Sequence, residues 1–176
     1  MRTFSETTAL GKLNVAVKRL SLEIADGFEH NALDCSVCDD RGKCCRDEHF
    51  VNVRITRLEA AAIRKVIDEL PAWKAQAVQE RIERAVVRYG LEEAEDDTAG
   101  YACPLLDDDA RCLVHGKAKP MPCVMHACYE KESDLPPPEL LDLHESSVGR
   151  LNRKVYGSDM LPLPIPLALS RRRQRP

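Results

Sequence analysis

The eight cysteines of the chain are the feature that most constrains its fold, and they fall into two groups of four. The groups are Cys35, Cys38, Cys44 and Cys45, and then Cys103, Cys112, Cys123 and Cys128. Thiolates are soft, strong metal donors, and this number of them could complete two four-sulfur sites without a histidine. We therefore expect the cysteines to bind metal, as zinc in a tetrahedral sulfur site or as an iron–sulfur cluster.

The spacing within the first group indicates which of its cysteines could bind the same metal. Two residues separate Cys35 from Cys38, so a tight turn can direct both sulfurs at one ion. The adjacent side chains of Cys44 and Cys45 diverge on an extended backbone, which favours two different metals, or one metal and one free thiol. Two four-sulfur sites, one cluster with one zinc, and one cluster with unligated thiols all remain open.

Histidines lie in or beside both cysteine segments. His115 and His126 fall inside the second segment, where either could replace a cysteine at a metal or donate a hydrogen bond to a bound thiolate. His30 and His49 flank the first segment, and the simplest interpretation of all four is a loop histidine. His144 is in register with apolar residues of a predicted helix, which indicates a partly buried helix residue rather than a ligand.

Composition and charge narrow the class of protein. The chain has 176 residues, of which 44% are hydrophobic and 31% are charged, and it can bury one ordinary core. The net charge of −3 does not favour a nucleic-acid partner. No apolar run approaches the roughly 20 residues that span a bilayer, so no membrane association is expected.

The N-terminal residues indicate whether the thiols are reduced or oxidised. They lack the apolar region and the cleavage site of a secretory signal, so we expect a cytoplasmic protein. Thiols stay reduced in the cytoplasm. Metal ligation is therefore favoured over disulfides and over free or transiently oxidised thiols.

Hydrophobic periodicity predicts a mainly α fold around the cysteine-rich loops, with at most a short strand pair. Residues 51–55 alternate apolar and polar side chains and are a short strand at best. The predicted helices are an apolar stripe from Leu10 to Phe28, a helix from the capping-box pair Thr56 and Glu59 to Pro71, a helix from Pro71 to Gly90, and a helix over residues 138–156. We predict a single domain over residues 1–160, with metal-binding loops at 33–50 and 101–130.

Two charged stretches are interpreted as solvated. The helix that follows Pro71 has charged residues, among them Arg81 and Glu83, around its polar side. Residues 91–100 are acidic but lack the ordered spacing of a calcium loop, so a solvated linker is predicted there.

Residues 161–176 form a proline-rich and basic C-terminal tail. Every second residue from Pro162 to Pro166 lacks an amide proton, so we predict polyproline II conformation and exclude helix and central strand. The favoured interpretation is that this segment wraps the body and buries its apolar side chains, and docking of a protein partner is the alternative. The four arginines of residues 171–175 are weak evidence for nucleic-acid contact.

The order of these motifs resembles the YkgJ-type CxxCxxCC family, small bacterial proteins described as chelating zinc or iron. Its Cys-x-x-Cys and Cys-Cys-Arg elements are met by Cys35, Cys38, Cys44, Cys45 and Arg46. Its Thr-x-x-Glu helix start is met by Thr56 and Glu59. Its later elements are met by Cys103, Pro104, Leu106, Cys112, Pro120, Cys123 and Cys128.

The resemblance implies that the cysteines chelate zinc or iron. A related cysteine arrangement occurs in flagellin lysine methylases, so a cluster-dependent enzyme or subunit that modifies a protein or small molecule is one alternative. An interaction module, in which metal stabilises the fold and the C-terminal tail docks a partner, is another. The sequence contains no acid–base pair that would identify catalytic residues.

Overall fold

The structure of the protein is a computed structural model that describes residues 4–34, 37–46, 51–92, 100–157 and 160–170. These residues form seven α-helices and one two-stranded antiparallel sheet, so the predicted mainly α fold is confirmed. The helices are α1 (Glu6–Gly27), α2 (Lys43–Arg46), α3 (Arg57–Asp68), α4 (Ala72–Arg88), α5 (Met121–Met125), α6 (Pro138–Tyr156) and α7 (Ile165–Leu169). The strands are β1 (Arg54–Ile55) and β2 (Leu163–Pro164).

The chain divides into two compact units, each made of two stretches of sequence. The first unit is Met1–Arg41 with Lys119–Met160, and the second is Gly42–Ala118 with Leu161–Pro176. The single domain predicted over residues 1–160 stays a prediction. Most of the predicted acidic linker, residues 93–99, and the basic residues 171–176 lie outside the described residues.

The first unit is built on α1, which packs against α5 and α6. Helix α1 begins after Ser5, whose hydroxyl accepts a hydrogen bond of 3.2 Å from the Thr8 amide. Its buried residues are Ala9, Leu13, Leu20 and Ile24. The predicted apolar stripe therefore faces the interior of the unit.

Helix α6 has the predicted bounds. It packs against α1, and its buried face includes a polar residue. Gly157 ends the helix in the left-handed conformation, with φ of 73°. His144 is buried, and its Nε2 lies 3.0 Å from Oε2 of Glu23 on α1. The structure thus agrees with the interpretation of His144 as a helix residue and shows what its ring contacts.

Glu23 holds two partners at once. Arg19 Nε donates to Glu23 Oε1 at 2.8 Å, and His144 contacts the other carboxylate oxygen. The hydrogen bond from Arg19, followed by the one with His144, lowers the pKa of Glu23 below its ordinary value of 4.5. Ionisation of this carboxylate is therefore more favourable in the folded state than in the unfolded chain, so the ionised form stabilises the fold.

We predict that Glu23→Gln weakens the acid dependence of stability. Because the folded-state pKa is lowered, the contribution of ionised Glu23 is complete above its ordinary pKa and is lost as the pH falls through the lowered value. The variant should therefore lose less unfolding free energy than the wild type between about pH 6 and about pH 3. Denaturant unfolding across this range tests it, with Asp142→Asn, an exposed carboxylate on α6, as the charge control. Parallel curves for wild type and Glu23→Gln would contradict the prediction.

The second unit packs α3, α4 and α7 with the β1–β2 pair. Helix α3 begins at the predicted capping box, in which the Thr56 hydroxyl accepts from the Glu59 amide at 3.2 Å. The Glu59 carboxylate accepts from the Thr56 amide at 2.8 Å. Pro71 lies at the N-cap of α4, one position before the helical position predicted for it.

The exclusion of helix from residues 161–167 is wrong, because α7 begins at Ile165. Pro166 lies in the first turn of α7, where backbone amides have no helical acceptor, so its missing N–H breaks no helical hydrogen bond. Pro164 is in a two-stranded sheet, opposite Arg54. Ile165, Leu167 and Leu169 are buried, which agrees with the predicted burial of the apolar side chains of this segment.

We predict that Leu169→Ala destabilises the protein by about 2–4 kcal/mol, because a nearly inaccessible leucine would leave a cavity in the second unit. Leu161→Ala removes the same atoms from a side chain that is 77% exposed, against 1% for Leu169. Its effect should stay within about 0.5 kcal/mol. Thermal or denaturant unfolding of both variants measures the difference. Equal losses would mean that the segment does not belong to the folded core.

Candidate metal centre

The second unit contains four cysteines, and a backbone hydrogen bond joins two of their segments. Cys44 and Cys45 lie in the short helix α2, which begins after Gly42. The amides of Cys45 and Arg46 donate to the Gly42 carbonyl at 2.9 and 3.1 Å. The Cys45 carbonyl in turn accepts from the Cys103 amide at 2.8 Å. Two backbone segments that are far apart in the sequence are therefore hydrogen-bonded to each other.

Cys112 lies in a hairpin that continues from the Cys103 segment. Cys112 forms an antiparallel bridge with Leu106, whose own amide donates to the Cys103 carbonyl at 3.4 Å. The turn of the hairpin is closed by the Asp107 carboxylate, which accepts from the Asp109 amide at 3.1 Å and from the Arg111 amide at 2.7 Å. This acidic run therefore forms the turn that returns the chain to Cys112.

Gly42 brings α2 against this hairpin. A Cβ atom at Gly42 would lie 3.1 Å from Ala110 Cβ and 3.1 Å from Leu106 Cδ2, and its φ is +81°. Glycine avoids strain at this position, because other L residues disfavour positive φ and a Cβ here would be closer to both neighbours than an ordinary van der Waals contact. The close approach at Gly42 thus positions Cys44 and Cys45 beside the hairpin that contains Cys112.

The first unit contains the other four cysteines. The Leu33 amide donates to the Cys128 carbonyl at 2.7 Å, and Ala32 forms an antiparallel bridge with Tyr129. The stretch that leads into Cys35 therefore runs beside Cys128, although Cys35 itself lies outside the described residues. Cys123 lies on α5, which packs against α1, and Cys38 is exposed.

The thiols of the described cysteines do not form a ready ligand group. Among the residues that the structure describes, no three His, Cys, Asp or Glu side chains are grouped so that they could hold a metal ion. The seven described cysteines form no disulfide. The structure thus brings cysteine segments together without showing a completed metal site.

Among the described residues, the histidines do not join the cysteines in a ligand group either. His30, His115 and His126 are exposed, and His49 lies outside the described residues. Although His126 is exposed as a whole, partial burial of its ring lowers its pKa below 6.5, and nearby Lys119 adds to this effect. A lowered pKa keeps the imidazole neutral at neutral pH.

Two residues beside the cysteine segments have an unusual feature that the sequence did not reveal. Arg81 Nη2 and the Tyr129 hydroxyl are the two buried side-chain polar atoms of the described chain without a hydrogen-bond partner. Tyr129 follows Cys128 directly, and burial, with a smaller effect from Glu29, raises its pKa. A buried donor without an acceptor costs about 1–3 kcal/mol.

Arg81 lies on α4, where its charged neighbours were interpreted as a solvated face. The residue is half-buried, and its Nε donates to the Pro104 carbonyl at 3.0 Å, next to Cys103. The interpretation is therefore wrong for Arg81. Its spacing of three residues from the buried Val78 is the signal that could have placed it at the edge of the apolar face.

Comparisons of the chain with protein-family models, with curated proteins and with solved structures found no match. The resemblance to the CxxCxxCC family therefore rests on the cysteine pattern and stays a prediction. Within the described ranges, no helix is both long enough and apolar enough to cross a membrane.

We predict that Gly42→Ala destabilises the second unit by about 1–3 kcal/mol, through positive φ and a crowded Cβ together. Two glycines of the same unit separate these causes. Gly90 has a φ of +58° and open space around its Cβ position, whereas Gly116 has open space and no positive φ. Alanine should therefore cost about 1 kcal/mol at Gly90 and less than about 0.5 kcal/mol at Gly116.

Denaturant unfolding of the three variants measures this order. An effect at Gly42 no larger than that at Gly90 would show that the contact with the hairpin is unimportant for stability.

Proposed function

We propose that the protein binds zinc or iron through the thiolates of its eight cysteines: Cys35, Cys38, Cys44, Cys45, Cys103, Cys112, Cys123 and Cys128. The observation that supports this most is the hydrogen bond between the Cys103 amide and the Cys45 carbonyl. It brings a cysteine of the early group beside a cysteine of the late group, as a shared ligand set requires. The contact of Leu33 with Cys128 supports the same arrangement for the first unit.

Metal binding on these thiols requires them to converge beyond the arrangement in the structure. Coordination of structural zinc contributes about 10–16 kcal/mol at neutral pH. Ordering four short side chains costs about 1 kcal/mol each, so coordination exceeds this cost severalfold. Pro104, Pro120 and Pro122 restrict the backbone near Cys103 and Cys123, which lowers the cost further.

The choice between zinc and iron follows from the chemistry of the sulfur ligands. Four thiolates suit tetrahedral Zn²⁺, and they equally suit the irons of an iron–sulfur cluster. Hard cations such as Mg²⁺ and Ca²⁺ prefer oxygen ligands and should bind these thiols weakly. The proposal therefore covers soft and borderline metals and excludes hard cations at these cysteines.

Metal analysis of anaerobically purified protein tests the proposal. We expect zinc or iron in a stoichiometric amount, with a brown colour and broad visible absorption for an iron–sulfur cluster, and no colour for zinc. Stripping the metal should lower the melting temperature, because a ligand that binds only the folded state stabilises it. Readdition of Zn²⁺ should restore the melting temperature, and Mg²⁺ serves as the control that should not.

The proposal fails if the purified protein contains neither zinc nor iron and its thiols are joined as disulfides. It also fails if stripped protein binds Zn²⁺ no more tightly than a variant in which all eight cysteines are replaced by serine.

A further inference from the structure

We propose that the exposed face of α4 is a docking surface for the same face of a second copy of the chain, with the two helices antiparallel. The face consists of Trp73, Glu80, Arg84 and Val87, all of which are exposed. The inference concerns assembly and does not depend on the metal proposed for the cysteines.

The apolar residues of this face have a high solvent exposure. Trp73 is the one tryptophan of the chain, and it is 73% exposed. Val87 lies about four turns further along α4 and is 62% exposed. Tryptophan is highly buried on average in folded proteins, and it is enriched among the residues that dominate the energy of protein–protein interfaces. The exposure of Trp73 therefore favours an interface on this side of the helix.

The four residues form one stripe along α4. Trp73, Glu80 and Val87 follow one another at intervals of seven residues, which are close to two turns of the helix. Arg84 lies four residues after Glu80 and therefore on the same side. The buried residues of α4 lie on the opposite side of the helix. A seam with this spacing is the geometry with which two helices pair along their length.

Two other charged residues of α4 already have partners within their own unit. Arg81 donates to a backbone carbonyl at 3.0 Å, and the Ser170 hydroxyl donates to the Glu83 carboxylate at 2.9 Å. Glu80 and Arg84 instead remain exposed on the stripe. The stripe thus has one negative and one positive charge between its two apolar ends.

The order of these charges favours an antiparallel pair. In a parallel pair in register, Glu80 would face Glu80 and Arg84 would face Arg84, which is unfavourable. In an antiparallel pair whose two-fold axis is level with residue 81, Glu80 is level with residue 82 of the second copy, about 3 Å along the axis from Arg84 of that copy. Trp73 is likewise level with residue 89, about 3 Å along the axis from Val87. Long side chains can span these offsets, and the two-fold symmetry forms each contact twice.

The size of this surface predicts a weak dimer. Helix α4 has 17 residues and is therefore about 25 Å long. One pair of helices of this length buries less area than the roughly 1,600 Å² of a standard protein–protein interface. We therefore expect a dissociation constant in the micromolar to millimolar range, with Trp73 as the main contributor to affinity.

Sedimentation equilibrium of the full chain over this concentration range tests the inference, in a reducing buffer that prevents disulfide-linked dimers. A monomer–dimer equilibrium is expected. The fluorescence of Trp73 should shift to shorter wavelengths as the dimer forms, because its indole ring leaves water. Trp73→Ala should weaken association by about tenfold or more. Leu143→Ala, at a 63% exposed position of α6, should change it by less than about twofold.

Charge reversal tests which residues face each other. Glu80→Arg and Arg84→Glu should each weaken association by at least about tenfold, because like charges then meet at two symmetric places. An equimolar mixture of the two variants should associate about as tightly as the wild type, because every facing pair is again of opposite charge. This recovery also shows that both variants are folded. Asp142→Arg and Arg150→Glu, at exposed positions of α6, should each change association by less than about twofold.

Four results would overturn the inference. A wild-type chain that is still monomeric at about 1 mM has no such docking surface. A dimer that Trp73→Ala and the two charge reversals leave unchanged uses another face. A mixture that stays monomeric, or that associates more tightly than the wild type, excludes the antiparallel contact of Glu80 with Arg84. Short-wavelength emission of Trp73 in the monomer would mean that another segment of the same chain covers the face.

Discussion

The close approach of α2 to the Leu106–Cys112 hairpin is the constraint on which the arrangement of the cysteine segments in the second unit depends. It needs a residue without a side chain at Gly42, where a Cβ would meet Ala110 and Leu106. Once α2 is in place, the Cys45 carbonyl can accept from the Cys103 amide. This packing contact thus helps to place α2 where the Cys45 backbone meets that of Cys103, although neither glycine nor alanine is a metal ligand.

A positive charge lies beside the Cys103 segment of the second unit, and it comes from a different element. Helix α4 places Arg81 against the Pro104 carbonyl, while Val78, Ile82 and Val86 on the same helix are buried. The hydrophobic packing of α4 therefore places the backbone of Arg81 near Pro104, and the hydrogen bond from Nε holds the guanidinium there. A cation held in this way loses little freedom when it meets an anion, which makes the interaction more favourable than one with a mobile surface arginine.

The C-terminal segment shows where in a helix proline is tolerated. Proline disfavours helix because it lacks an amide proton, yet that rule applies to interior positions and not to the first turn. Pro166 occupies the first turn of α7, and the Ser170 amide donates to its carbonyl at 2.9 Å. Burial of Ile165, Leu167 and Leu169 in the second unit then stabilises a helix too short to persist alone. These three side chains are used within the chain, which leaves them unavailable for docking a partner.

The sequence by itself determined where α1 and α3 begin and where α6 ends, because Ser5, the Thr56–Glu59 capping box and Gly157 act on backbone groups within a few residues. It also determined that thiols are the available soft ligands. Only the tertiary structure decided that the Cys45 carbonyl meets the Cys103 amide, and that Arg81 lies beside the Pro104 carbonyl. The physical reason is that such neighbours are separated by long stretches of chain. Packing of complementary surfaces brings them together, and no local periodicity encodes that packing.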